Sequence, residues 1–359
     1  MTGTSMDGLD ICVSKIKFFL KSINVKVIKV GYVEFPKKIK LNIENSLSLK
    51  KEDIKTCHKS LGEFMAKETH QFIKKNKISN IDGVGMHGQT IEHISGVKSL
   101  QIGDPKYLLN KLNVPIISNF RNLDIKNGGT GAPLVPFLDK ILFQEEKNAV
   151  LCLNIGGISN ITFLPSLESN GNIIGFDTGP GMSLIDEASK IFFNKKFDKN
   201  GTLSINGKPN LELVENWMKN KFITSSYPKS TGRKEFGLTW LKRQMSVLKK
   251  LDKKDILPTL ASFTSSSIFY NCKNFTNYDK IKKIIISGGG IYNKAIMSNL
   301  KNKFKNILIY RSENFGIDSD SKEALCFALL GAAFLNNTPS NIPSVTGAKK
   351  PVVLGEILK

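Results

Sequence analysis

Short apolar strands that end in glycine recur at distant points along the chain, and this repetition constrains the fold more than any other feature. The run Ala149, Val150, Leu151, Cys152, Leu153 ends in Asn154 and the pair Gly156-Gly157. A second apolar stretch covers 158–164. A third, 173–176, ends in Asp177 and is followed by Gly179-Pro180-Gly181. Near the start, GTSMDGLD at 3–10 leads into an alternating run at 11–16. Far downstream, the β-branched stretch 283–286 runs straight into Ser287-Gly288-Gly289-Gly290. Glycine has no Cβ, so such turns let backbone N–H groups approach an anion closely. A carboxylate at the end of a buried strand, beside such turns, is a candidate for chemistry.

Between these strands lie segments of helical period. Apolar residues at Leu61, Phe64, Met65 and Phe72 predict a helix over 41–75. Pro105 opens a helix behind Gly103-Asp104, and an apolar helix at 132–143 follows the NGGTG turn at 127–131. Further helices are predicted at 183–193, 211–221, 240–251, 256–269, 293–300 and 322–335, the last with Glu323 near its start. The stretch 229–236, KSTGRKEF, reads as a loop. Further strands are predicted at 25–35, 81–86 (ending at His87-Gly88-Gln89-Thr90), 100–102, 114–118 and 307–311. The alternation predicts an α/β protein with ligand groups at strand ends.

Composition bounds the function. A chain of 359 residues favours two lobes over one core. No apolar run approaches the ~18 residues of a membrane span. The opening MTGTSMDGLD has neither the basic nor the apolar part of a signal peptide. Five scattered cysteines without a CxxC predict buried thiols in a reducing cytoplasm. The four histidines show no paired metal-ligand spacing. The net charge of +21 points at first to a polyanion. Only Arg121, Arg233, Arg243 and Arg311 are arginine, however, and the lysines are spread over the whole chain. A solvated lysine-rich surface, attractive to an anionic nucleotide, is expected rather than nucleic-acid binding. No GxxxxGK[ST] and no GxGxxG occurs, which weakens the P-loop and dinucleotide-fold readings.

GTSMDGLD, HGQT, QIGDP, FRNLDIKNGGTGAPLVP, NIGGISNIT, GFDTGPG, PKSTGRKEF and SGGGIYN occur in an order and at spacings that resemble the anhydro-N-acetylmuramic acid kinase family. That family belongs to the sugar-kinase, Hsp70 and actin superfamily, and the resemblance covers nearly the whole chain. It implies an α/β fold of two actin-like (ribonuclease H-like) lobes around a central active-site cleft. The expected lobes are 1–118 plus 338–359, and 119–337. It also implies a cytoplasmic enzyme of cell-wall recycling and a homodimer. The implied reaction uses ATP and water to convert 1,6-anhydro-N-acetylmuramic acid into N-acetylmuramic acid 6-phosphate.

The roles carried over make physical sense. Water attacking the anomeric carbon must lose a proton, and the family's general base matches Asp177. Positions 3–10 (Gly3, Thr4, Ser5, Met6, Asp7, Gly8, Leu9 and Asp10) match the ATP-phosphate turn, where Thr4 and Ser5 donate to phosphate and Asp7 holds Mg²⁺ or its water shell. Gly156 and Gly157 match a second phosphate turn, and Ser287, Gly288, Gly289 and Gly290 lie near the nucleoside. Arg121 suits the lactyl carboxylate of the sugar or a phosphate. His87, Gln89 and Asp104 are expected sugar contacts, and Glu323 is expected to orient sugar or water.

Plainer readings stand beside these. Asp177 reads equally as the N-cap of the next helix, and Asp104 as the cap of the helix after it. Glu323 reads as a first-turn carboxylate favoured by the helix dipole. Arg233 reads as a surface charge or as a substrate or interface contact, and His87 as a packed histidine. Two departures from the family pattern matter. The family continues GPG with Asn, where this chain has Met182; the consequence depends on whether that Asn holds sugar or phosphate. The family also has a strand directly before GTS, whereas this chain starts at Met1-Thr2, so the first turn is expected to lack half of its hairpin. A start codon assigned too late is one explanation, and a true truncation is expected to weaken ATP binding. The alternatives are a kinase for another sugar of the superfamily, a catalytically silent ATP- or sugar-binding homologue, and a nucleic-acid-binding protein suggested only by charge.

Overall fold

The computed structural model describes residues 1–3 and 6–359; Thr4 and Ser5 lie outside the described residues. The chain divides into two compact units, Met1–Leu142 with Ser321–Lys359, and Phe143–Asp320. The expected boundaries at 118 and 338 thus differ from those of the units.

In the first unit, β1 (Gly8–Phe18) and β2 (Ile23–Glu34) form a long antiparallel hairpin. Alternating burial along β1 follows its alternating sequence. Helices α1 (Lys37–Ser46) and α2 (Lys51–Lys75) follow. The single helix expected over 41–75 is broken at 47–50, where Leu49 takes a left-handed conformation, φ 59°. Next come β3 (Val84–Gly85), the antiparallel pair β4 (Gln89–Ile94) and β5 (Lys98–Ile102), and α3 (Pro105–Leu112). Strand β6 (Ile116–Ser118), α4 (Phe120–Lys126) and α5 (Val135–Phe143) complete this stretch.

The second unit is built on a five-stranded sheet. Its strands are β7 (Ala149–Ile155), β8 (Ile158–Leu164), β9 (Ile174–Pro180), β10 (Ile281–Ser287) and β11 (Leu308–Arg311), in the order β11-β10-β7-β8-β9. β8 runs antiparallel to β7 and β9, while β10 is parallel to β7 and β11. Counted from β7, the order is 3-2-1-4-5 with the second strand reversed, the ribonuclease H-like arrangement. The helices are α6 (Ser183–Phe193), α7 (Leu211–Met218), α8 (Lys221–Thr224), α9 (Leu238–Arg243), α10 (Met245–Leu248), α11 (Lys253–Phe275) and α12 (Lys294–Lys303). The core joins Leu151, Leu153 and Ile286 of the sheet to Leu257, Leu260 and Phe263 of α11 and to Trp217 and Trp240.

The chain then returns to the first unit. α13 (Lys322–Leu335) packs on β1, β3 and β6, which accounts for the unit boundary at 320/321. Gly331 lets its backbone lie against Gly85 of β3, where a Cβ would come within 2.9 Å of the Gly85 Cα. α14 (Pro343–Thr346) and β12 (Glu356–Leu358) follow, and β12 pairs antiparallel with β6, which pairs parallel with β3. Among the described residues the first unit's strands form three separate sheets. A cavity of about 490 Å³, lined by Leu9, Ile11, Val13, Val84, Gly85 and Ala328 among others, lies beside β1 and β3.

Candidate active site

In the second unit the sheet brings two of the glycine turns together. β7 and β10 are parallel neighbours, and Ser287 sits opposite Asn154 at their carboxyl ends. The Gly156-Gly157 turn and the stretch Ser287, Gly288, Gly289, Gly290 therefore leave the sheet side by side, where ligands of parallel sheets bind. Gly288 has φ 85°, and a Cβ there would meet Asn154 Oδ1 at 2.7 Å and the Ile155 carbonyl at 2.8 Å. Only glycine fits that position. The carbonyls of Gly156 and Gly157 accept from the amides that lead into α6: Met182 N at 2.8 Å, and Gly181 N and Ser183 N at 3.0 Å each. A Cβ on Gly181 would lie 2.2 Å from the Gly156 oxygen. The side chain of Arg233 lies over the same turn, with guanidinium nitrogens 3.3 Å from a Cβ built on Gly157.

Asp177 lies inside β9, opposite Asn160 of β8. It is not a helix cap: the N-cap position of α6 is Met182, five residues later. Its Oδ2 accepts from Thr231 N at 2.9 Å and from Ser230 Oγ at 3.0 Å. Burial raises the carboxyl above the usual carboxylate range, and these two donors oppose the rise. No cation contributes. Oδ1 makes no hydrogen bond among the described residues, so one oxygen is pinned and the other is open. The strand itself is held from behind by one face of α11. Thr264 Oγ1 donates to the Gly181 carbonyl at 3.0 Å, and Ser267 Oγ and Asn271 Nδ2 donate to the Thr178 carbonyl at 2.5 and 3.1 Å. This hydroxyl and amide row, spaced 264, 267, 271 on one face of α11, is a legible signal that the sequence reading did not use. Nor did that reading assign roles to Ser230 and Thr231, although both stand in the PKSTGRKEF stretch.

In the first unit, Arg121, in the first turn of α4, donates from Nε to His87 Nε2 at 3.2 Å and from Nη1 to the Gly131 carbonyl at 2.8 Å. His87 stacks on Phe327 of α13, centroids 4.1 Å apart. Burial, Arg121 and the N-terminal ammonium hold the imidazole well below its ordinary pKa, so it is neutral. Accepting at Nε2 places its proton on Nδ1. Among the described residues, His87 Nδ1, Gln89 Oε1 and Thr2 Oγ1 are all buried without a hydrogen-bond partner. Thr2 N donates to the His87 carbonyl, which ties two of the three together. Such orphans fit a ligand rich in hydroxyl and carbonyl groups. Glu323, on the first turn of α13, is solvent-accessible. Its crowded surroundings raise its carboxyl pKa, against the pull of Arg121, Lys322 and the N-terminal ammonium.

The remaining expected residues are placed as follows. Asp104 caps α3, its Oδ1 accepting from Lys106 N at 3.0 Å, and its amide donates to the His58 carbonyl on α2 at 2.9 Å. The cap reading thus describes its contacts. Gly3 accepts from Met6 N at 3.2 Å in the first glycine turn, whose Thr4 and Ser5 are outside the described residues. Asp7 is exposed there, and its carbonyl accepts from Phe35 N at 2.9 Å. Gly8 lies under Tyr32, Leu9 is buried, and the Asp10 backbone exchanges two 2.9 Å hydrogen bonds with Met1. Among the described residues no three His, Cys, Asp or Glu side chains form a metal cage. One exposed carboxylate beside the first glycine turn does fit Mg²⁺, which keeps most of its waters and takes few ligands from protein. No helix among the described residues is long and apolar enough to cross a membrane.

A family model described as anhydro-N-acetylmuramic acid kinase matches residues 1–359. A protein of that name from Clostridioides difficile (strain 630) is 37% identical over 376 residues, covering 99% of this chain and 96% of that protein. One from Bacillus cereus is 37% identical over 371 residues, covering 99% and 97%. Among solved structures, a ROK family glucokinase from Streptomyces griseus, in complex with glucose and AMPPNP, aligns with TM-score 0.38 at 8% identity, covering 89% of this chain and 99% of that one.

Proposed function

The chain belongs to the anhydro-N-acetylmuramic acid kinase family, and we propose that it opens 1,6-anhydro-N-acetylmuramic acid with water and phosphorylates O6 from ATP, with Asp177 as general base. Asp177 Oδ1 takes a proton from water as the water oxygen bonds to the anomeric carbon. The C1–O6 bond breaks, and O6 receives the γ-phosphoryl group. The products are N-acetylmuramic acid 6-phosphate and ADP. The observation that carries this reading is the asymmetry of Asp177: Oδ2 is fixed by Thr231 N and Ser230 Oγ, while Oδ1 is open. Burial that raises its pKa makes it a stronger base once ionised.

Phosphoryl transfer needs positioning and charge neutralisation more than covalent help. The adjoining turns at Gly156-Gly157 and at Ser287, Gly288, Gly289, Gly290, with Arg233 over the first, support a triphosphate site in the second unit. Gly3, Met6, Asp7 and Gly8 supply the first phosphate turn, with Asp7 as a ligand of Mg²⁺ or of its water. When bound, Mg²⁺ neutralises phosphate charge. Arg121 and the orphaned atoms of His87, Gln89 and Thr2 support sugar recognition in the first unit. Glu323 orients sugar or water. Asp104 caps α3 through Oδ1 alone, so a sugar contact from this residue stays part of the reading.

The test is direct. Purified protein with Mg-ATP and 1,6-anhydro-N-acetylmuramic acid should form ADP and N-acetylmuramic acid 6-phosphate in equal amounts. ADP without the sugar phosphate, or turnover of only a different sugar, would overturn the reading.

A further inference from the structure

The loop that carries Ser230 and Thr231 is itself held by a cation. Lys229 Nζ donates to the carbonyls of Phe222 at 3.0 Å, Ile223 at 3.0 Å and Ser225 at 2.7 Å. An ammonium has three protons, and each is matched. These carbonyls lie at and just beyond the end of α8, where carbonyls lack partners within the helix. The same nitrogen sits 4.8 Å from the Phe275 ring centroid, 5.1 Å from that of Phe222 and 5.5 Å from that of Phe176. Three aromatic faces and three carbonyl dipoles thus replace the hydration of the charge. No carboxylate contributes; burial alone lowers the ammonium from 10.5 to about 8.

Lys229 also meets Asp177 through the backbone, its carbonyl accepting the Asp177 amide at 3.2 Å. The next two residues are the two donors to Asp177 Oδ2. One side chain therefore ties the end of α8, the aromatic residue before Asp177 and the donor pair into a single unit. The other ionisable groups of this loop are Tyr227, Arg233, Lys234 and Glu235. Tyr227 stacks on Phe176, and Glu235 accepts from Thr231 Oγ1 at 2.8 Å. β8 carries no ionisable residue, and the face of α11 behind β9 presents Thr264, Ser267 and Asn271. From α8 the charged residue is Lys221, which is exposed.

We propose that Lys229 is a positioning residue for the reaction: by clamping the carbonyls of Phe222, Ile223 and Ser225 it fixes Ser230 Oγ and Thr231 N–H on Asp177 Oδ2, and so aims Oδ1 at water. This rests on Asp177 being the base. Lys229 touches neither sugar nor nucleotide in this account, so its loss acts on kcat and on the pH profile, not on the affinity for ATP.

The experiment measures kcat, KM for ATP and the acid limb of kcat against pH for the wild type, Lys229→Met, Ser230→Ala, their double variant and Asp177→Asn. Lys229→Met should lower kcat about tenfold, leave KM for ATP unchanged and move the acid limb upward, the direction of a carboxylate losing its donors. The double variant should be little worse than Lys229→Met alone, because both remove the same interaction. Wild-type kcat and acid limb in Lys229→Met, or independent, additive losses in the double variant, would overturn the proposal. Should Lys229→Met fail to fold by circular dichroism, Lys229→Gln, which keeps two N–H donors, is read in the same way. Full activity in Asp177→Asn would instead sink the base assignment, an outcome distinct from an inactive Asp177→Asn beside an unaffected Lys229→Met.

Discussion

Two charged sites, one in each unit, are held in opposite ways. In the first, Lys322 Nζ and Asp139 Oδ1 lie 2.6 Å apart with side chains 5% and 3% exposed, so cation and anion neutralise each other. In the second, Lys229 is solvated by carbonyls and rings, and Asp177 by a hydroxyl and an amide, with no counter-ion for either. A paired charge is locked, since moving either partner strands the other. Without a counter-ion the effect of burial shows: the Asp177 carboxyl is raised, and the Lys229 ammonium is lowered to about 8. The first arrangement joins α5 to α13, and the second is the one the proposed chemistry needs.

Four changes would break or sharpen that contrast. The largest effect belongs to Asp177→Asn, which should lower kcat by a factor of about 10²–10⁴ while ATP binding, followed by calorimetry, persists. Lys322→Met comes next. It takes the cation from buried Asp139 and should cost about 3–5 kcal/mol in urea unfolding, with Lys322→Met/Asp139→Leu recovering much of the loss. If the single variant is as stable as the wild type, the pair does not lock the first unit. Ser230→Ala should lower kcat about tenfold and move its acid limb upward, because removing a donor to the carboxylate raises its pKa further; a limb that stays put would detach Ser230 from the base. The smallest effect is expected at Met182, which packs against the second unit's core and uses its backbone on the Gly156 carbonyl. Met182→Asn should cost about 1 kcal/mol of stability in urea unfolding with little change in kcat. A large gain in sugar affinity would show that the family's Asn makes a contact this chain lacks.

What the sequence made legible was the part governed by local periodicity. The apolar runs of β7, β8, β9 and β10 and their glycine ends were readable because strand burial and turn geometry leave strong residue preferences. The first helical region was read as one helix because neither proline nor glycine marks the break; Leu49 supplies it with an unfavourable φ. The alternative reading of Asp177 as a cap, suggested by the helix that begins soon after it, fails because β9 continues to Pro180 and the capping position falls on Met182. The clamp at Lys229 was invisible for a different reason. Its partners are backbone carbonyls, which every residue owns, so no pattern of side chains announces them. Asp104 shows the converse, a candidate ligand whose plainer reading as a cap describes its contacts.

The central claim is that a carboxylate raised by burial and held only by neutral donors activates water. It is tested most directly by kcat against pH, with Mg-ATP and 1,6-anhydro-N-acetylmuramic acid as substrates, for the wild type and Asp177→Asn. Activity should rise with pH through a limb above the ordinary carboxylate range, since the base works only when deprotonated and burial raises its pKa. That limb should vanish from the residual activity of Asp177→Asn. The same limb in both proteins would contradict the account.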